Sequence, residues 1–166
     1  GNEWTHIDGA DYEHLDGEDI TKLKFKDRSV DIIYASHVFE YFDREKAVSV
    51  LKEWFRVLKF GGILRIAVPD FHQISKLYIN EEYPLSRFLG PLYGKMPMSN
   101  ETIYHKTVYD FDSLSTLLKS VGFNSIKKYN WRDTDHSHID DCSQAYLPHM
   151  DKDKGTLISL NVESTK

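Results

Sequence analysis

Cysteine occurs once in the 166 residues, as Cys142. That excludes an intrachain disulfide and suits a reducing compartment, so a cytoplasmic location is expected. Long apolar runs are missing as well: no stretch approaches the length of a membrane span, no secretory signal opens the sequence, and no membrane partner is expected. Nor is there an excess of positive charge. Lys and Arg number 21 against 26 Asp and Glu, and the formal net charge of -5 argues against a broad nucleic-acid or anionic-membrane surface. Lys22, Lys24, Lys26 and Arg28 form one local basic run, read as a solvated loop. Repeats and low-complexity segments are absent. Gly1 has no initiator methionine before it and is expected to be a cloning scar or the cut end of a longer reading frame.

What is present is ordinary globular usage, 40% hydrophobic and 28% charged, in a length that suits a single domain over 1–166. The chain is organised around Ser29 to Asp70. An apolar run from Val30 to Ala35 precedes an amphipathic run from Arg44 to Leu58, then Gly61-Gly62, then a second apolar run from Ile63 to Val68. Strand, helix, stop and parallel strand follow from that pattern, and a parallel pair commits the chain to an α/β layered fold. Ala47, Val50, Leu51, Trp54 and Leu58 make one apolar helix stripe. Asp43 stands at the N-cap, and Gly61 is expected to end the helix in a left-handed turn.

Ser29-Val30-Asp31-Ile32-Ile33-Tyr34, Ser36-His37-Val38 and Leu58-Lys59-Phe60-Gly61-Gly62 followed by a strand resemble the middle of class I S-adenosylmethionine-dependent methyltransferases. Phe60 replaces the usual proline of the Lys-Pro-Gly-Gly stop. The resemblance implies a Rossmann-like three-layer sandwich with a mostly parallel sheet and an antiparallel hairpin at the C-terminal edge. It also implies S-adenosylmethionine as cofactor and a small-molecule or otherwise unassigned methyl acceptor. The segment from Ser143 to His149 extends the likeness to a bacterial group of small predicted methyltransferases.

Residue roles follow on the matching positions. Trp4 to Ile7 reads as a strand ending in Asp8, the family's place for the acid that accepts both ribose hydroxyls, though alone such an Asp is a common turn former. Asp19-Ile20 matches the pair bordering the adenine, while Asp19 by itself reads as a cap. Ser36 and His37 leave the carboxyl end of a strand, where ligands bind in open α/β sheets. His37 is the one candidate general base, against a hydrogen-bonded structural role. Glu40 and Tyr41 read as scaffold preceding the helix.

Further on, Asp70 with Gln73 resembles a capping box opening a helix through Tyr78, with Phe71, Ile74, Leu77 and Tyr78 inward. Residues 80–106 form an irregular insertion, a candidate lid or substrate wall. Asp112 is expected to cap a helix with Leu114, Leu117, Leu118 and Val121 on one face, ending at Gly122; Phe123 to Trp131 and Gly155 to Glu163 read as strands. Between them His136, His138, Asp140, Asp141 and Cys142 match no standard metal-site spacing, and no metal is assigned.

One family feature has no counterpart: the first strand with its glycine-rich loop, whose backbone approaches the cofactor. The 166 residues are therefore expected to bind the cofactor weakly or not at all, and to leave a strand edge open to a homodimer partner. A catalytically silent interaction module is the alternative function. A dinucleotide-dependent oxidoreductase is a lesser one, since nothing resembles a Tyr-x-x-x-Lys pair.

Overall fold

The strand–helix–strand unit over 29–70 organises the computed structural model, which describes residues 4–7, 19–98 and 101–166. In chain order the elements are β1 (Val30–Ser36), α1 (Arg44–Val57), β2 (Leu58–Pro69), α2 (Phe71–Ile79), α3 (Leu89–Tyr93), β3 (Met96–Met98), β4 (Glu101–Ile103), α4 (Phe111–Val121), β5 (Asn124–Lys128), β6 (Tyr146–Leu147), β7 (Thr156–Leu157) and β8 (Ser159–Thr165). Asp43 caps α1 by accepting the Lys46 N–H at 2.7 Å. Ala47, Val50, Leu51, Trp54 and Val57 form the buried stripe of α1.

Gly61 does not end α1. The helix passes into strand at Leu58, which has extended dihedrals, and Gly61 with its φ of 73° sits inside β2. There the register steps from Val30↔Leu58 to Ile32↔Ile63, so the glycines absorb a bulge. The last carbonyls of α1 find other donors: Arg28 N–H on Arg56, Ser29 N–H on Val57, and the Lys166 ammonium on Phe55, Arg56 and Leu58. A helix so capped from outside needs no glycine.

The main sheet has the order β1-β2-β8-β5. β1 and β2 are parallel, while β8 is antiparallel to both β2 and β5, so three strands run one way and the fourth is reversed between two of them. Alternation gives the sheet two unlike faces. One carries Ile33, Ala35, Leu64, Ile66, Val68, Leu160 and Val162, which join α1 and α4 in the main core. Tyr34, Ser36, Arg65, Asn161 and Glu163 lie on the other face, where the 129–147 connection covers them: the His136 ring stacks on Tyr34 at 3.8 Å, and Asn161 Nδ2 donates to the Ser143 carbonyl.

α4 is capped two residues earlier than expected. The Asp110 carboxylate accepts from Ser113 N–H, and the Ser113 hydroxyl closes the box on Asp110 N–H, leaving Asp112 in the first turn. Asp110→Ala is expected to lower stability by about 1 kcal/mol in urea denaturation, with a smaller effect for Asp112→Ala. Gly122, at φ 116°, ends the helix as expected.

Only Ile74 and Leu77 of the expected inward face of α2 are buried, whereas Phe71 and Tyr78 are exposed. The reason is that α2 packs on a small second cluster with Phe88, Leu147 and Ile158 rather than across the main sheet. Gly155 to Glu163 likewise splits at Ile158: β7 pairs with β6 in a separate hairpin and only β8 joins the sheet. The Phe123 to Trp131 strand shortens to β5, and Trp131 turns into a buried 3-10 turn.

The connection that contains the 80–106 insertion leaves the sheet at Asp70 and returns at Tyr109, which pair in an isolated parallel bridge. It holds α2, α3 and the β3–β4 hairpin. The side chains of Phe71, Tyr78, Ile79, Leu85, Leu89, Tyr93, Met96, Tyr104 and Val108 are exposed there, whereas Phe60 is the one exposed large hydrophobic recorded elsewhere among the described residues. No helix among the described residues is long and apolar enough to cross a membrane.

Candidate functional site

Among the described residues the outer edge of β1 is unpaired, and a groove of about 1030 Å³ runs along it. Trp4, Ile7, Leu23, Phe25 and Trp54 form apolar walls, and Ile20, Ser36 and Val38 lie at the lining too. Two of the predicted cofactor residues, Ile20 and Ser36, thus line the same groove, which runs the length of β1. The Ile20 carbonyl is held by the Trp54 indole N–H at 2.9 Å, which locks the 19–25 segment onto α1.

The other predicted residues lie elsewhere. Asp8 is outside the described residues. Asp19 is exposed, and its carboxylate accepts from the Thr21 hydroxyl and N–H at 2.7 and 2.8 Å, bonds that lower its pKa. It is committed to its own turn. The Ser36 hydroxyl donates to Asp141, which also accepts from the Tyr34 hydroxyl at 2.6 Å and the Ser143 N–H. His37 turns away from the groove into the protein.

His37 adopts φ 50°, in the left-handed region. Its Nδ1 lies 3.3 Å from Glu40 Oε1 and its Nε2 lies 3.0 Å from Ser159 Oγ at the start of β8. From the insertion, His105 Nε2 approaches the same Glu40 oxygen at 3.7 Å, while its Nδ1 lies 3.1 Å from the Pro91 carbonyl. Close packing is built in here: a Cβ on Gly94 would stand 2.6 Å from the His105 ring. Glu40 is fully buried, neither carboxyl oxygen makes an aligned hydrogen bond, and the nearby Tyr109 hydroxyl is also buried without a partner. Burial pushes the Glu40 carboxyl up to about 8. Burial, then the neighbouring His105, pushes His37 down to about 4 against the opposing pull of Asp141. His105 is lowered by burial too.

Glu40, His105 and Ser159 were absent from the sequence-based site. Glu40 offered one signal, a carboxyl three residues after His37 between the apolar pairs Val38-Phe39 and Tyr41-Phe42; His105 and Ser159 are distant in sequence and offered none. Among the described residues, no three or more His, Cys, Asp or Glu side chains are placed to hold a metal ion. His136 is buried against Tyr34, and Asp141 is engaged with Tyr34 and Ser36.

Compared with known families, residues 5–66 match a methyltransferase domain. A S-adenosylmethionine-dependent methyltransferase structure from Methanosarcina mazei is 18% identical, with a TM-score of 0.52 over 92% of this chain and 66% of that one. Another from Thermotoga maritima is 16% identical, with a TM-score of 0.50 over 92% of this chain and 63% of that one. The chain thus spans somewhat under two thirds of the length of these structures. No curated protein matches the sequence. The fold is that of the class I methyltransferases, as the residues of the central unit implied.

Proposed function

We propose, from that fold, that the chain is the catalytic-fold part of an S-adenosylmethionine-dependent methyltransferase whose acceptor is a small molecule or another, unassigned group. The observation that carries this reading is that Ile20, Ser36 and Val38 line one groove that runs along β1 and reaches its carboxyl end, where an open α/β sheet binds ligands. Ile20 would pack on the adenine, Asp19 would border it after release from its turn, and Asp8 would hold the ribose. When bound, S-adenosylmethionine supplies an activated methyl group for in-line displacement. The protein's part is then to position the acceptor and exclude water. The insertion over 80–106, with its exposed apolar side chains, is suited to be the acceptor wall or lid.

The β1 edge, unpaired among the described residues, is the surface through which a second copy would add a strand. A second reading, a non-catalytic interaction module, draws support from Asp141, whose bonds to Tyr34 and Ser36 close the strand end with the chain's own loop.

Isothermal titration with S-adenosylhomocysteine tests the proposal. The 166 residues contain no glycine-rich loop, so the expected result is weak binding, with Kd of about 0.1–1 mM, abolished by Ile20→Asp. Absence of heat at millimolar ligand would turn the assignment to the interaction module.

A further inference from the structure

The hydrogen-bond polarity around Glu40 can be followed from a fixed end. Asn161 Nδ2 donates to the Ser143 carbonyl at 2.9 Å, so its Oδ1 faces the Ser159 hydroxyl, also at 2.9 Å. Ser159 spends its single proton there and can only accept from His37. His37 therefore carries its proton on Nε2, and in the neutral ring Nδ1 is a bare acceptor directed at Glu40. His105 reaches the same state by another route: its Nδ1–H donates to the Pro91 carbonyl, so in the neutral ring Nε2 is bare, again toward Glu40. A carboxylate between two imidazole lone pairs would be repelled by both. A carboxylic acid has a proton to offer.

We propose that Glu40 is an uncharged carboxylic acid in the folded protein and that, with His37 and His105, it forms a buried proton-binding site at the carboxyl end of β1. When the site gives up its proton to solvent, Glu40 becomes a carboxylate and the His37 proton shifts from Nε2 to Nδ1 to face it. Nε2 is then a proton acceptor where it had been a donor. The Nε2–H bond to the Ser159 oxygen is given up in that exchange, and the Ser159 hydroxyl must turn its proton from Asn161 to Nε2 to restore one. Nε2 faces Ser159 and not the groove, so the site holds its proton inside the protein and does not touch an acceptor.

The surroundings agree. The remaining titratable groups that feel the Glu40 charge are Tyr41, Tyr109 and Cys142, each pushed up, and none brings a cation to hold a carboxylate. The Asp141 carboxylate acts on His37 from the far side. The Lys106 and Thr107 N–H groups are spent on the Glu40 backbone carbonyl. Burial drives all three groups from their charged forms, and neither buried oxygen of Glu40 has a hydrogen-bond donor to hold a charge, which accords with a neutral cluster.

Carbon-detected NMR of the Glu carboxyls and nitrogen NMR of the His rings, on the whole chain from pH 5.5 to 9.5, tests this. Expected are a Glu40 carboxyl that titrates near pH 8 and a His37 that is the Nε2–H tautomer below that point and the Nδ1–H tautomer above it. Glu40→Gln, whose amide can donate to the bare Nδ1, should keep the Nε2–H tautomer throughout and abolish the transition. A Glu40 carboxyl already ionised at pH 6, or a His37 that is cationic or Nδ1–H at pH 7, would overturn the proposal. The wild-type titration decides even where the variant does not fold. Because no step depends on cofactor, loss of the methyltransferase reading by calorimetry and loss of this one by NMR are separate results.

Discussion

Trp54→Ala is expected to destabilise the protein by about 3–5 kcal/mol, the largest effect of any single truncation in α1. The indole is almost wholly buried, packs against the Phe39 ring at 5.8 Å between centroids, and its N–H is the tether of the Ile20 carbonyl. Three losses coincide: the transfer energy of a large aromatic, a cavity between α1 and the sheet, and the hydrogen bond that seats the 19–25 segment over the groove. Trp54→Phe separates them. It retains much of the packing and forfeits the bond, so its cost should be nearer 1–2 kcal/mol, and it should weaken S-adenosylhomocysteine binding more than its stability change would imply. Urea denaturation of both variants, with titration of the Phe variant, checks this; equal stability losses for the two would show that packing contributes little.

Glu40→Gln is expected to be more stable than the wild type above about pH 4.5, by a margin that grows with pH and is largest above pH 8. Glu40 has its carboxyl raised from 4.5 in the unfolded chain to about 8 in the folded one, so the folded state holds an extra proton between those values. Its contribution to stability is fully present below pH 4.5 and is lost as pH rises through 8. His37 runs the other way: with its pKa lowered from 6.5 to about 4, its contribution is present above pH 6.5 and lost as pH falls toward 4. The two slopes oppose each other between about pH 4.5 and 6.5. From 6.5 to 8 Glu40 acts alone, at about 1.4 kcal/mol per pH unit, or about 2 kcal/mol across the window. Thermal or urea unfolding from pH 6 to 9 should show that decline in the wild type and none in Glu40→Gln. A variant that falls in parallel with the wild type would place the alkaline loss elsewhere in the chain.

The central unit was legible because its signals are local. A period of 3.6 in Ala47, Val50, Leu51 and Trp54, and short apolar runs on either side, bury one face whatever the rest of the chain does. Even the helix cap at Asp43 depends only on a residue three positions away. Gly61 was misread for the complementary reason: its positive φ was foreseeable, but the donors that make a glycine cap unnecessary come from residues 28, 29 and 166. The shift of the α4 cap from Asp112 to Asp110 is a smaller case, since two acids in one turn compete and the Ser113 hydroxyl favours the earlier.

The site divides along the same line. Ser36 could be placed because a strand end is located from an apolar run, whereas Ile20 rested on the family resemblance alone; both line the groove along β1. Glu40 could be seen in the sequence only as one more acid before a helix. What makes it chemically distinct is complete burial between an imidazole three residues away and another sixty-five residues on, with Ser159 fixing the tautomer from β8. Periodicity and caps set which segments are helix or strand, because those energies arise between neighbours in the chain. The protonation of a buried carboxyl depends on which distant groups are packed around it and on how far water is excluded, and only the tertiary structure decides both.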